Sequence, residues 1–236
     1  FVQSQEILSA EFRAEETTIK TLWTDLKGSI KAGAPEDVLN SHSKLLDEIS
    51  LLVTRVGDYS YLILDPDLDT YYTMDAVLLK LPQNHASLAE ALTRIHSVAG
   101  SGALSSDDQI QLRILSEKLS TNLASMDRNI SVATQNTSTP EITALGSAFD
   151  EYQSAVALAI DSLDRIGSNP ELSDIAFRDA NEKLDAARSA SLSFYNSGTG
   201  GLQKGVAARI SSLVLQFYVI ALVALVIALR PGRAPS

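Results

Sequence analysis

"LILDPDLDTYYTMDAVLLKLP", residues 62–82, interrupts a chain that is otherwise patterned for helix, and whether the chain turns there decides how the helices are arranged. Asp65 before Pro66 has the chemistry of an N-cap followed by a first-turn proline. Asp67 and Asp69 suit the positive end of a helix dipole. The residue before a proline is pushed out of helical geometry, so a break at Asp65 follows from the same pair.

Outward from this stretch, apolar residues recur at steps of three and four, the spacing that gives a helix one apolar face. The first series is Leu8, Phe12, Ile19, Leu22, Leu26, Ile30. The second is Val38, Leu45, Ile49, Leu52, Val56, Tyr59, Ile63, with His42 at one position of the apolar face. Leu112, Leu115, Leu119, Leu123, Met126, Ile130 form a third, and Ile142, Leu145, Phe149, Tyr152, Val156, Leu163 a fourth. A last series, Leu172, Ala176, Ala180, Leu184, Ala187, Phe194, is poor in large residues and suits close helix packing. Pro35, the "AGSGALSSDD" segment, Pro140 and Pro170 mark helix starts, and no stretch alternates at strand spacing. The fold class expected is all-α: an antiparallel up-down helical bundle, four-helix-bundle-like or built as two stacked bundles, ending in a transmembrane helix.

That last element is "LVLQFYVIALVALVIAL", Leu213 to Leu229, seventeen residues without a charge. At about 1.5 Å per residue it reaches about 26 Å, nearly the apolar thickness of a bilayer. Arg230 and Arg233 follow it, whereas all 29 acidic residues lie before it. Positive residues favour the cytoplasmic side, so the C-terminus is expected inside and the acidic region outside. The organisation expected is a sensor domain over 1–197, a juxtamembrane segment over 198–212, a membrane span over 213–229 and a cytoplasmic stub over 230–236. "GTGG", Gly198 to Gly201, reads as a helix break or hinge ahead of the span.

The breaks alone define helical segments over 3–32, 36–98, 106–135, 141–166 and 171–196. If a first span precedes Phe1, a domain that leaves the membrane and returns at Leu213 needs an even number of traverses. The segment 36–98 is about twice the length of the others. A reversal near Asp65–Pro66 restores parity; a kinked long helix forming two stacked bundles is the competing arrangement.

Composition narrows the chemistry. The chain has 236 residues, a formal net charge of −10 and no cysteine, so thiol catalysis, disulfides and Cys-based metal sites are excluded. Asp65, Asp67 and Asp69 have the one-three-five spacing of a calcium loop, but Thr70 and Ala76 stand where that loop needs glycine and a bidentate glutamate. His42, His85 and His96 share no ligand spacing, and no nucleophile elbow or phosphate-binding glycine pattern occurs. No metal, no cofactor and no enzymatic activity are expected, and an acidic exterior without a basic groove excludes a nucleic-acid binder. Tyr71 and Asp75 lie one helical turn apart with Tyr72 beside them, so the three could hold an amine or serve as core.

The segment "DYSYLILDPDLDTYYTMDAVLLKLP" resembles a stretch, roughly DNSNLILDPDLDSYYLMD followed by an apolar run and proline, in the helical extracytoplasmic sensor regions of bacterial chemoreceptors, histidine kinases and diguanylate cyclases. "GGLQKGVAARISSL" is similar to the juxtamembrane ends of such receptors. Tyr59 and Tyr61 replace asparagines of the pattern, and Thr70 and Thr73 replace serine and leucine. The resemblance implies a ligand-sensing and signal-transducing module in the bacterial inner membrane, its sensor region periplasmic or extracellular. The implied ligand-binding residues are those matching the pattern: Asp58, Asp65, Asp67, Asp69, Tyr71, Tyr72 and Asp75. The implied partners are an unknown small-molecule ligand, the membrane and a second copy in a homodimer. The alternative is a non-catalytic, membrane-anchored interaction or dimerisation module.

Overall fold

Helix starts fall where capping chemistry puts them. In the computed structural model, which describes residues 12–32, 35–59, 67–99, 104–169 and 174–228, Ser105 closes a capping box. Its hydroxyl accepts the Asp108 N–H at 3.1 Å and its own N–H donates to Asp108 Oδ2 at 3.2 Å. Pro140 sits in the first turn of its helix. The described residues form α1 (Arg13–Ala32), α2 (Pro35–Tyr59), α3 (Leu68–Met74), a π-helical segment (Asp75–Lys80), α4 (Leu81–Ala99), α5 (Ser106–Gln135), α6 (Pro140–Thr143), α7 (Leu145–Ser168) and α8 (Asp174–Ala228). No strand occurs among them, so the all-α expectation holds.

The cap at the opening stretch is displaced from its expected place. Asp67, extended at φ −83° and ψ 122°, is the N-cap residue of α3, and the helix begins at Leu68. Asp65 and Pro66 lie outside the described residues. The helices on either side nonetheless settle their own arrangement. Leu46, Ile49 and Val53 of α2 line one groove with Leu78, Leu81 and His85. A single straight helix would hold Ile49 and Leu81 about 48 Å apart. α2 and the Leu78–His85 stretch therefore lie side by side and are not parts of one straight helix.

Pro82 explains the π segment. It offers no N–H, and its ring crowds the carbonyl four residues back, that of Leu78. The helix widens just before it, and the Leu81 N–H reaches the carbonyl of Ala76, five residues away.

Neighbouring helices run antiparallel, as their contacts order themselves along the chain. Asp75, Gln83 and Arg94 meet Asn129, Asn122 and Asp108 in turn. Ser116 donates to Asp164, and Arg165 pairs with Asp179. Asp67, His85 and His96 meet Arg209, Ser191 and Asn181. α7 packs along α8 and α5, and α4 along α8 and α5. The core between them holds Leu88 and Ile95 of α4, Leu119 and Met126 of α5, Phe149 and Tyr152 of α7, and Leu184 and Phe194 of α8. Each large apolar side chain buried there contributes about 1.5–3 kcal/mol. α1 packs along α2, with the half-buried ion pair of Glu15 and Arg55 between them.

The expected hinge at Gly198–Gly201 is not a break. α8 is helical without interruption from Asp174 to Ala228, about 82 Å. Its glycines instead admit neighbours. A Cβ on Gly201 would touch the Glu141 carbonyl oxygen and Leu145 Cδ1, both at 3.4 Å. One on Gly205 would lie 2.8 Å from both Ile142 Cδ1 and Thr70 Cγ2. Packing thus continues past position 197, through buried Leu202. The alanines of the small-residue series, Ala180 and Ala187, are spent on this chain's own core. From Ile210 to Leu222 every residue is exposed, and α8 is long and apolar enough to cross a membrane.

Candidate functional site

The residues singled out by the sequence are brought together only in part, and Asp67, Asp69 and Asp75 each have a structural partner. The Asp67 carbonyl accepts the Tyr71 N–H at 3.0 Å, and its carboxylate pairs with Arg209 Nε at 3.1 Å. Asp69 accepts from the Thr70 N–H at 2.8 Å and from the Thr137 hydroxyl at 2.7 Å, tying α3 to the chain ahead of α6. Asn129 Nδ2 of α5 donates to Asp75 Oδ2 at 2.5 Å. Tyr71 and Tyr72 meet edge to face at 5.2 Å, and Tyr72 packs on the core. Because Arg209 stands four residues before Leu213, this cluster lies at the end of the bundle where α8 leaves it. Asp58 stands apart, in a shallow surface pocket with Phe12, Arg55 and Tyr59. Asp65 lies outside the described residues. No group of three or more His, Asp or Glu side chains able to hold a metal occurs among the described residues.

A second site was not legible in the sequence. Where α2 lies over α4 and α8, a half-open groove of about 220 Å³ remains, lined by Leu46, Ile49, Ser50 and Val53 from α2, Leu78, Leu81, Pro82 and His85 from the π–α4 stretch, and Ser191, Leu192 and Tyr195 from α8. The irregular π–Pro82 stretch forms one wall, and the remaining walls are mostly apolar. Its polar pair is His85 Nδ1 and Ser191 Oγ, 3.4 Å apart, a long hydrogen bond whose direction depends on the imidazole tautomer. Burial depresses the His85 pKa, and the positive charges of Arg188 and His42 push it the same way. His42, on the overlying helix, is also lowered by burial.

The signals available for this site were Pro82 inside a helical pattern and His42 on an apolar face. Neither says which helix covers which. Deeper in the bundle, Asn84 donates to the Tyr152 hydroxyl at 2.9 Å, and Tyr152 stacks on Phe194 at 5.4 Å. Burial raises the Tyr152 phenol to about 12 against the opposing pull of that hydrogen bond. This aromatic cluster is fully buried and belongs to the core.

No family model, curated protein or solved structure matches the chain. The functional reading therefore rests on geometry and chemistry, together with the short motif resemblance in residues 58–82.

Proposed function

We propose that the chain is the extracytoplasmic ligand-sensing and transmembrane signal-transduction module of a bacterial receptor, with an up-down four-helix bundle as its frame and α1 and α2 as an added hairpin. One observation carries this reading. The helix that lines the groove with Ser191, Leu192 and Tyr195 is the same unbroken helix that presents an exposed apolar surface from Leu213 onward. Some 18 residues, about 27 Å of rigid helix, separate Tyr195 from Leu213. A ligand that favours one arrangement of α2 against α4 and α8 shifts the position of α8, and a continuous helix passes that shift to the membrane. Arg230 and Arg233 favour a cytoplasmic C-terminus.

The absence of native cysteine makes the test clean. Ser197→Cys in intact bacteria is expected to react with a membrane-impermeant maleimide. Reaction only after lysis overturns the topology. In vesicles, a screen of small metabolites is expected to change the labelling rate of Ser211→Cys for at least one ligand class. A rate indifferent to every class leaves the second reading, an interaction or dimerisation module. That reading draws on the exposed Trp23, Ile30 and Leu51 of the hairpin.

A further inference from the structure

We infer that the groove between α2 and the α4–α8 pair is the ligand site and that it takes a small apolar carboxylate, with a single ring or a branched chain of that size on its leucine-rich bed and its carboxylate at the His85–Ser191 end. The inference rests on the sensing reading above and names its site and ligand class.

Size comes first. A cavity of about 150 Å³ holds a benzene ring, so the groove, at about 220 Å³, has room for one ring and a short polar group. The bed formed by Ile49, Val53, Leu78, Leu81 and Leu192 favours an apolar body.

Charge selects the head group. The chain carries a formal net charge of −10, yet no carboxylate among the described residues lines this groove. The groups that act electrostatically on His85 are Arg188 and His42, both on the positive side. Arg188 is half-exposed and also pairs with Asp185 at 3.1 Å, one turn away on its own helix. An ammonium group would find no acceptor carboxylate among the described lining residues, and the charge that acts on His85 from outside the lining, that of Arg188, is positive. A purely apolar ligand would leave His85 and Ser191 with only their long mutual bond. A carboxylate accepts from the imidazole and the hydroxyl, and charge-assisted bonds of that kind are stronger than neutral ones.

The probes are benzoate, benzylamine and benzyl alcohol, titrated onto the full chain in nanodiscs and followed by ligand-observed NMR. Benzoate is expected to bind saturably and to outcompete benzylamine. His85→Gln is expected to weaken benzoate roughly tenfold or more while leaving benzyl alcohol unchanged. Ile49→Trp, at a partly exposed position on the bed, is expected to fill the groove and abolish benzoate binding with the thermal midpoint retained. Benzylamine binding as tightly as benzoate overturns the ligand class. Benzoate binding indifferent to both substitutions overturns the site. Failure of all three probes overturns the inference, whereas the sensing reading falls only if the cysteine-labelling responses fail.

Discussion

Val77 occupies the space a side chain on Gly198 would need: a Cβ at position 198 would lie 2.3 Å from Val77 Cγ2 and 3.1 Å from its Cγ1. Val77 is fully buried, short and branched, so it cannot swing aside. α8 passes the π segment at glycine distance, and this contact holds the two helices in register.

Gly198→Ala is therefore expected to lower stability. Overpacking costs about 1–3 kcal/mol, set against at most about 1 kcal/mol gained from helix propensity. Thermal unfolding in nanodiscs measures it, and adding Val77→Ala should cost less than the two single effects together. Additivity would show that the two positions do not meet.

Asp75→Ala is expected to destabilise by about 1–3 kcal/mol, because it strips a partner from the buried Asn129 amide. Benzoate affinity should remain within about twofold, since Asp75 does not line the groove. A stable variant that has lost ligand response would return the aspartate cluster to the status of binding site.

Tyr152 is raised to about 12 in the folded chain, against about 10 for a free phenol. The folded state keeps this proton more tightly, so its contribution is fully present below about pH 10 and is lost as pH rises through the folded value. Tyr152→Phe should remove that part of the alkaline decline in stability. At neutral pH it should cost about 1–3 kcal/mol by leaving the buried Asn84 amide with only the weak thioether acceptor of Met126.

His85 and His42 are both held below the ordinary imidazole value of about 6.5. An imidazole lowered by folding contributes stability that is present above the unfolded pKa and lost as pH falls through the folded one. Unfolding midpoints should therefore drop on acidification below about pH 6.5. His85→Gln should flatten that drop, and an unchanged pH profile would mean that burial and the neighbouring cations do not act on this ring.

Legibility differed between helices for a physical reason. The third and fourth apolar series, from Leu112 to Ile130 and from Ile142 to Leu163, are buried throughout. α5 and α7 each have helices on both flanks, so the whole apolar stripe is covered. In the first series Leu26 is buried but Ile30 is 56% exposed, because α1 packs on α2 and buries a narrower strip. The same logic applies to Ile49 and Val56 of α2, which are both partly exposed, and Ile49 lines the half-open groove. Glycine carries two opposite meanings in a sequence, a break or a close approach. "GTGG" turned out to be the second, which depends on Val77 arriving from 121 residues earlier in the chain.

By itself the sequence determined the helical class, the buried faces of the central helices, the helix starts in the "SSDD" segment and at Pro140, and an apolar end long enough to span a bilayer. All of these follow from spacing and local chemistry within a few turns of chain. Only the tertiary structure decided that α2 lies beside the Leu78–His85 stretch, that α8 runs unbroken through its glycines, and that Asp67, Asp69 and Asp75 pair with Arg209, Thr137 and Asn129 while a groove forms around His85 and Ser191. Those outcomes depend on which helix faces lie opposite one another across 40 to 140 residues, and no local pattern encodes that.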